Sequence, residues 1–197
     1  AALQLLIERA PDAELGHLSS TNVTPLAAAC RRDQREAARL LRAAGAPLDA
    51  GALHLCATKG RAELLDALLD GAGDGDVDCA GDEGETALMR AAADGDESAV
   101  SALLAKRADP NAFDRDRHTA LMRAAFHGHA KVIGLLCAAG AAVDAVDAAG
   151  CSAMHHAGRG SQEWAFDVLE LKHGADSTLR NAKGEVPEVQ DEPCRVQ

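Results

Sequence analysis

Tyrosine is absent from the 197-residue chain, and its aromatic content, about 2%, consists of Phe113, Phe126, Phe166 and Trp164. A globule of this size fills its core with several rings, so a core of Ala, Leu and Val implies thin layers of closely approaching helices. Long apolar runs are also missing: charged residues or glycine break every leucine cluster before the ~18 residues that span a bilayer. That excludes a membrane-spanning helix and leaves peripheral association with a membrane complex open. Basic residues are few, 20 Lys and Arg against 31 Asp and Glu, for a net charge of −11. Such a chain repels phosphate backbones, and it has no basic stripe interleaved with aromatics, so no nucleic-acid partner is expected. A protein with a basic or mixed surface is the better electrostatic complement.

No C-x-x-C pair occurs. Cys30, Cys56, Cys79, Cys137, Cys151 and Cys194 are scattered and read as free thiols of a reducing compartment. Arg195 beside Cys194 is the one local feature that favours a thiolate. Without a secretory signal pattern, an intracellular and chiefly cytoplasmic location is expected, an organelle being reached only after removal of a targeting segment. The opening "LQLLIERAPDA" reads as the second half of a structural unit, so a longer N-terminus is expected. Catalytic signatures are missing as well: there is no nucleophile beside a base, no paired carboxylates in an apolar setting and no phosphate loop, since "GDGD" and "GDEGE" lack the Walker lysine. The chain is read as no enzyme, with no cofactor. His127 and His129 flank Gly128 and are expected to point apart, while His155 and His156 diverge by about 100° on a helix, so no metal site is expected.

What the chain does have is repetition. TALMRAA stands at 86–92 and again at 119–125, and a period of this length marks stacked repeats. Thr86, Thr119 and Ser152 occupy one slot, with Val186 following, and Thr24 and Gly51 before them. A leucine pair or its equivalent comes later in each unit: Leu40-Leu41, Leu68-Leu69, Leu103-Leu104, Leu135-Leu136 and Val168-Leu169. Thr or Ser in the slot is a good N-cap for a first helix, the Ala-Ala pairs at 91–92 and 124–125 let helices approach closely, and Gly95 or Gly128 turns the chain into a second helix. A unit of this kind buries its apolar face only by stacking.

The register "T-A-L-M-R-A-A-x-x-G-x…L-L…A-D-x-N-A-x-D" resembles the ankyrin repeat, and "GADSTLRNAKGEVP" resembles that family's final repeat. The resemblance implies an all-α solenoid with β-hairpin fingers, built of stacked helix-turn-helix repeats over residues 1–190. Its divisions are a partial repeat at 1–18, repeats at about 19–46, 47–76, 77–109, 110–142 and 143–176, a partial terminal repeat at 177–190 and a flexible tail at 191–197. It implies a non-enzymatic module that binds a partner protein through a concave groove of fingers and first helices, or else an accessory subunit docked in a larger assembly. Carried over residue by residue, the groove positions are Asp82, Glu83, Glu85, Ala93 and Asp94 in one repeat. In the next they are Arg115, Asp116, His118, Phe126 and His127, and in the one after that Ala148, Ala149, Cys151, Arg159 and Gly160. Phe113 and Phe126 are the candidate anchors. Trp164 either packs beneath the terminal repeat or marks a lateral contact, and an extra residue after Val168-Leu169 predicts a helix bulge. Asn111 resembles asparagines that hydroxylases modify in such repeats, its ordinary role being to brace the finger. His54 and His155 match the histidine with which the family ties neighbouring hairpins, and His129 matches the one expected to cap the second helix.

Four departures carry expectations of their own. The short link "APLDA" predicts a notch in the row of fingers at 46–51, and the glycine-aspartate stretch "DGAGDGDVD" predicts a mobile loop. Arg117 stands where Gly84, Gly150 and Gly184 supply left-handed geometry, so that finger either turns differently or holds strain. Val186 in the capping slot predicts a short or frayed last helix.

Overall fold

The structure is a computed structural model that describes residues 23–58, 60–70, 76–81, 83–160 and 162–188. The expectations for the partial repeat at 1–18, the loop at 71–75, Asp82, and residues 189–197 with Cys194 lie outside the described residues. By its contacts the chain divides into two compact units, Ala1–Ala91 with Ser98–Asp109, and Ala92–Glu97 with Pro110–Gln197.

In the first unit, α1 (Pro25–Arg31) and α2 (Arg35–Ala43) form one helical hairpin, and α3 (Ala50–Cys56) and α4 (Ala62–Leu69) the next. Like packs on like: α1 lies against α3 and α2 against α4. Thr24 Oγ1 accepts from Ala27 N at 3.0 Å, as the N-cap pattern requires, and donates to Asp49 Oδ2 at 2.6 Å. Asp49, not Gly51, caps α3, its Oδ1 accepting from Ala52 N at 2.8 Å. The capping slot therefore sits two residues earlier than the TALM register suggests, because a carboxylate outcompetes glycine for an amide donor. Leu26, Leu53, Leu64, Leu65, Leu68 and Leu69 form the sealed core. Arg42 Nε and Arg61 Nη1 donate to the carbonyls of Leu68 and Cys30, satisfying helix-end acceptors of a neighbouring hairpin. The link at 46–49 is irregular, without a finger turn, and Asp76–Asp78 forms a single 3-10 turn. Two further helices follow, α5 (Ala87–Asp94) and α6 (Glu97–Ala105), of which residues 92–97 belong to the second unit.

The second unit contains α7 (Ala120–Phe126), α8 (Ala130–Ala138), α9 (Ala153–Arg159) and α10 (Glu163–Asp167), with α7 packed on α9. Both copies of TALMRAA start helices as expected: Thr86 Oγ1 accepts from Met89 N at 3.3 Å and Thr119 Oγ1 from Met122 N at 3.4 Å. Ala91, Ala92, Ala124 and Ala125 are fully covered, and so are Met89 and Met122. Gly160 ends α9 so close to the Phe126 carbonyl that any β-carbon there would overlap it, which sets the distance between these two first helices. The bulge expected from the extra residue is present: α10 runs on into a π-helical turn, Val168–Lys172.

The fingers are tight turns, with one isolated antiparallel bridge, Phe113 to Thr119, among the described residues. Each closes with the same backbone bond, from Gly81 N to Glu85 O, Asp114 N to His118 O, Asp147 N to Cys151 O and Asn181 N to Glu185 O. Arg117 takes φ 64 in its turn, the value Gly84 and Gly150 take at 80 and 75 in theirs, so the strain expected of it is held. Arg117→Gly is expected to raise unfolding stability by roughly 0.5–1 kcal/mol, about 1–2 kcal/mol of left-handed strain being offset by loss of the guanidinium above the Phe113 ring. Thermal melting checks this; an unchanged or lower midpoint would refute the strain.

Candidate partner-binding groove

Two carboxylates organise the fingers of the second unit. Asp114 Oδ1 accepts from Asp116 N and His118 N at 3.0 and 2.8 Å, and Asp147 Oδ1 accepts from Ala149 N and Cys151 N, both at 2.8 Å. Each spends its second oxygen on a side chain nine residues further on, Asp114 Oδ2 on Arg123 Nη2 and Asp147 Oδ2 on His156 Nε2, both at 2.9 Å. The finger is thereby tied to the first helix that follows it. Burial opposes ionisation of both acids, but the donated hydrogen bonds outweigh it and hold them below the usual carboxylate range. Burial likewise lowers His156, against the raising influence of Asp147.

Between fingers, Ala148 N donates to Asp116 O and Ala182 N to Ala149 O, both at 2.9 Å. His155 accepts from Ser152 N through Nδ1 and donates through Nε2 to Glu185 O, at 3.1 Å in both cases, so it ties one repeat to the next as the resemblance implies. His129 does not cap α8 with its side chain; Nε2 donates instead to Ala93 O at 2.9 Å. His127 and His129 do not point apart: their rings are 6.1 Å apart and nearly parallel, because the turn at Gly128 brings both to one side. Asn111 braces its finger, Nδ2 donating to Gly140 O and Oδ1 accepting from Ala142 N.

Where the fingers meet α7 and α9, a pocket of about 270 Å³ opens to solvent, lined by His118, Met122, Arg123, Phe126, His127, His156 and Arg159. Its rim is cationic and half aromatic. Phe126, 42% exposed, meets His127 edge-on at 5.1 Å. Of the residues expected at the groove, His118, Phe126, His127 and Arg159 are brought together here. Phe113 is not: its ring lies on the finger beneath Arg117, 5.2 Å from the guanidinium. Arg115 and Asp116 are exposed at the same finger. Glu83 and Glu85 fall in the first unit and Asp94 in the second, and Glu85 is engaged by Arg90 at 2.6 Å. Trp164, 66% exposed on α10, does not line the pocket.

Sequence reasoning missed Arg123, Asp114 and Asp147, and weighed His156 only as a partner of His155. The signal was available, since Arg123 and His156 share one register within their repeats and stand nine residues after an aspartate. A nucleophilic thiol gains no support among the described residues. Burial pushes Cys137 up to about 11, and a hydrogen bond with Cys30, together with burial, raises Cys56. No helix among the described residues is long and apolar enough to cross a membrane.

Residues 44–114 and 92–181 each match the family model described as ankyrin repeats in three copies. Among solved structures, the chain is similar to the ankyrin repeat domain of Bcl-3, described as a unique member of the IkappaB protein family. Identity is 29% and the TM-score 0.81, over 94% of this chain and 86% of that one. Matches extend to 471 solved chains, so the likeness identifies a scaffold and does not select a partner. No curated protein matches the chain in sequence.

Proposed function

Because the chain belongs to the ankyrin-repeat family, we propose that it is a non-enzymatic module that holds a partner protein against the fingers and first helices of its second unit. The observation that carries this reading is the open pocket between α7 and α9, where the half-exposed Phe126 ring stands beside Arg123 and Arg159. An apolar side chain flanked by carboxylates fits that pocket, while Asp94 and Asp116 of the same unit favour basic groups elsewhere on the partner. The partner surface is therefore mixed in charge. Burial of aromatic and arginine side chains at such a centre supplies most of the energy of an interface of roughly 800 Å² per side. The cysteines at 30, 56, 79, 137 and 151 are free thiols, which favours a reducing compartment as the place of action.

Affinity capture with the full chain, analysed by mass spectrometry, tests the reading when run beside Phe126→Ala. A protein recovered by the wild type and lost with the variant supports it; equal recovery by both sinks the groove. A second reading, a permanently docked subunit of an assembly, is favoured by Trp164 and Leu171, 66% and 80% exposed on α10 and its π-helical continuation. Size-exclusion chromatography of native extract separates the two, a free monomer pool arguing against permanent docking.

A further inference from the structure

The network behind the pocket draws two imidazoles toward one carboxylate oxygen. His118 Nδ1 lies 3.2 Å from Asp114 Oδ2 and donates to it, which leaves Nε2 turned toward Asp147 Oδ2, 3.7 Å away. The same oxygen lies 2.9 Å from His156 Nε2, and the ligand atoms of all three residues lie within 4.8 Å of one another. We propose that His118 Nε2, Asp147 Oδ2 and His156 Nε2 form a three-ligand site for a zinc-type divalent ion, with its remaining coordination open to the pocket.

Four features support the assignment. Bonds of about 2.1 Å in tetrahedral geometry place ligand atoms about 3.4 Å apart, between the 2.9 and 3.7 Å that separate Asp147 Oδ2 from the two imidazoles. Asp114 on His118 Nδ1 is the carboxylate partner that orients a metal-bound histidine and makes it more basic. Asp147 is fixed through its other oxygen by two finger amides, so only Oδ2 is left to coordinate. Two imidazoles with one carboxylate select zinc-like ions over magnesium or calcium, which take oxygen donors. On binding, the proton that His156 Nε2 shares with Asp147 passes to Nδ1 or to solvent, and the freed lone pair goes to the metal. The ion would then clamp two successive fingers and α9 together. The site is independent of the reading of the groove.

Cobalt(II), titrated into the full chain with its thiols kept reduced, is the probe. One equivalent is expected to bind with the intense visible d–d absorption of a four- or five-coordinate ion, without a near-ultraviolet thiolate band, and zinc is expected to displace it one for one. His156→Gln keeps an amide donor to Asp147 but no imidazole, and His118→Gln alters a half-exposed finger residue; each is expected to weaken binding by at least 100-fold. Asp114→Asn, which among the three ligands touches His118 alone, is expected to weaken it by about 10- to 100-fold. Far-UV circular dichroism confirms that the variants are folded, and His118→Gln keeps the test valid should His156→Gln unfold. An absorption no stronger than that of hydrated cobalt, a thiolate band, or a signal that survives both glutamine variants would overturn the site.

Discussion

Asp147→Ala is expected to lower the unfolding free energy of the metal-free chain by about 3 kcal/mol. The carboxylate is 6% exposed and accepts from Ala149 N, Cys151 N and His156 Nε2. Truncation strands two finger amides and an imidazole at once. Each unpaired buried donor costs about 1–3 kcal/mol. The finger is near enough to water for partial rescue, which puts the sum at the lower end. Asp144 is the internal control: it is exposed and holds only Asp176 N, at 2.9 Å, so Asp144→Ala is expected to cost under about 0.5 kcal/mol. Urea denaturation of both variants measures the difference. Equal losses would mean that the finger does not depend on its buried acid.

Removing the anchor is expected to leave the fold intact and weaken the partner. Phe126→Ala and Arg159→Glu, each measured against the captured protein in purified form, are expected to reduce affinity by about 30-fold, the effect of deleting one central hot spot. Both residues are exposed and end a helix, so loss of binding without loss of helicity isolates the surface. The Arg159→Glu loss should shrink as salt rises, because its charge is solvated, whereas the Phe126→Ala loss should not. Trp164→Ala is expected to change neither quantity. A variant pair that binds as well as the wild type would remove the pocket from the interface.

Much of the scaffold was legible in the sequence because repetition averages out local ambiguity. Thr86 and Thr119 cap their helices, Ala124 and Ala125 seal the stacking face, and the odd residue near Leu169 becomes a π-helical turn. Where one copy departed from the pattern the reading failed. Gly51 took the slot that Asp49 fills, since alignment on the TALM pattern cannot see which side chain can accept an amide. His127 and His129 were expected to point apart because they flank Gly128, yet that turn brings their rings to one side. The pocket was legible only in half. Exposed ends of first helices can be read from the register, but His118, Asp147 and His156 come from a finger, the next finger and a helix. Only the stacking of repeats makes them neighbours.

The most direct test of groove binding is site-specific photocrosslinking. A photoreactive residue is placed at Phe126, or alternatively at Trp164, in the full chain, and irradiated with its native extract. Groove binding predicts a discrete protein adduct from position 126 that is competed by the unlabelled wild type, and none from position 164. An adduct confined to position 164 would contradict it and make α10 the docking face.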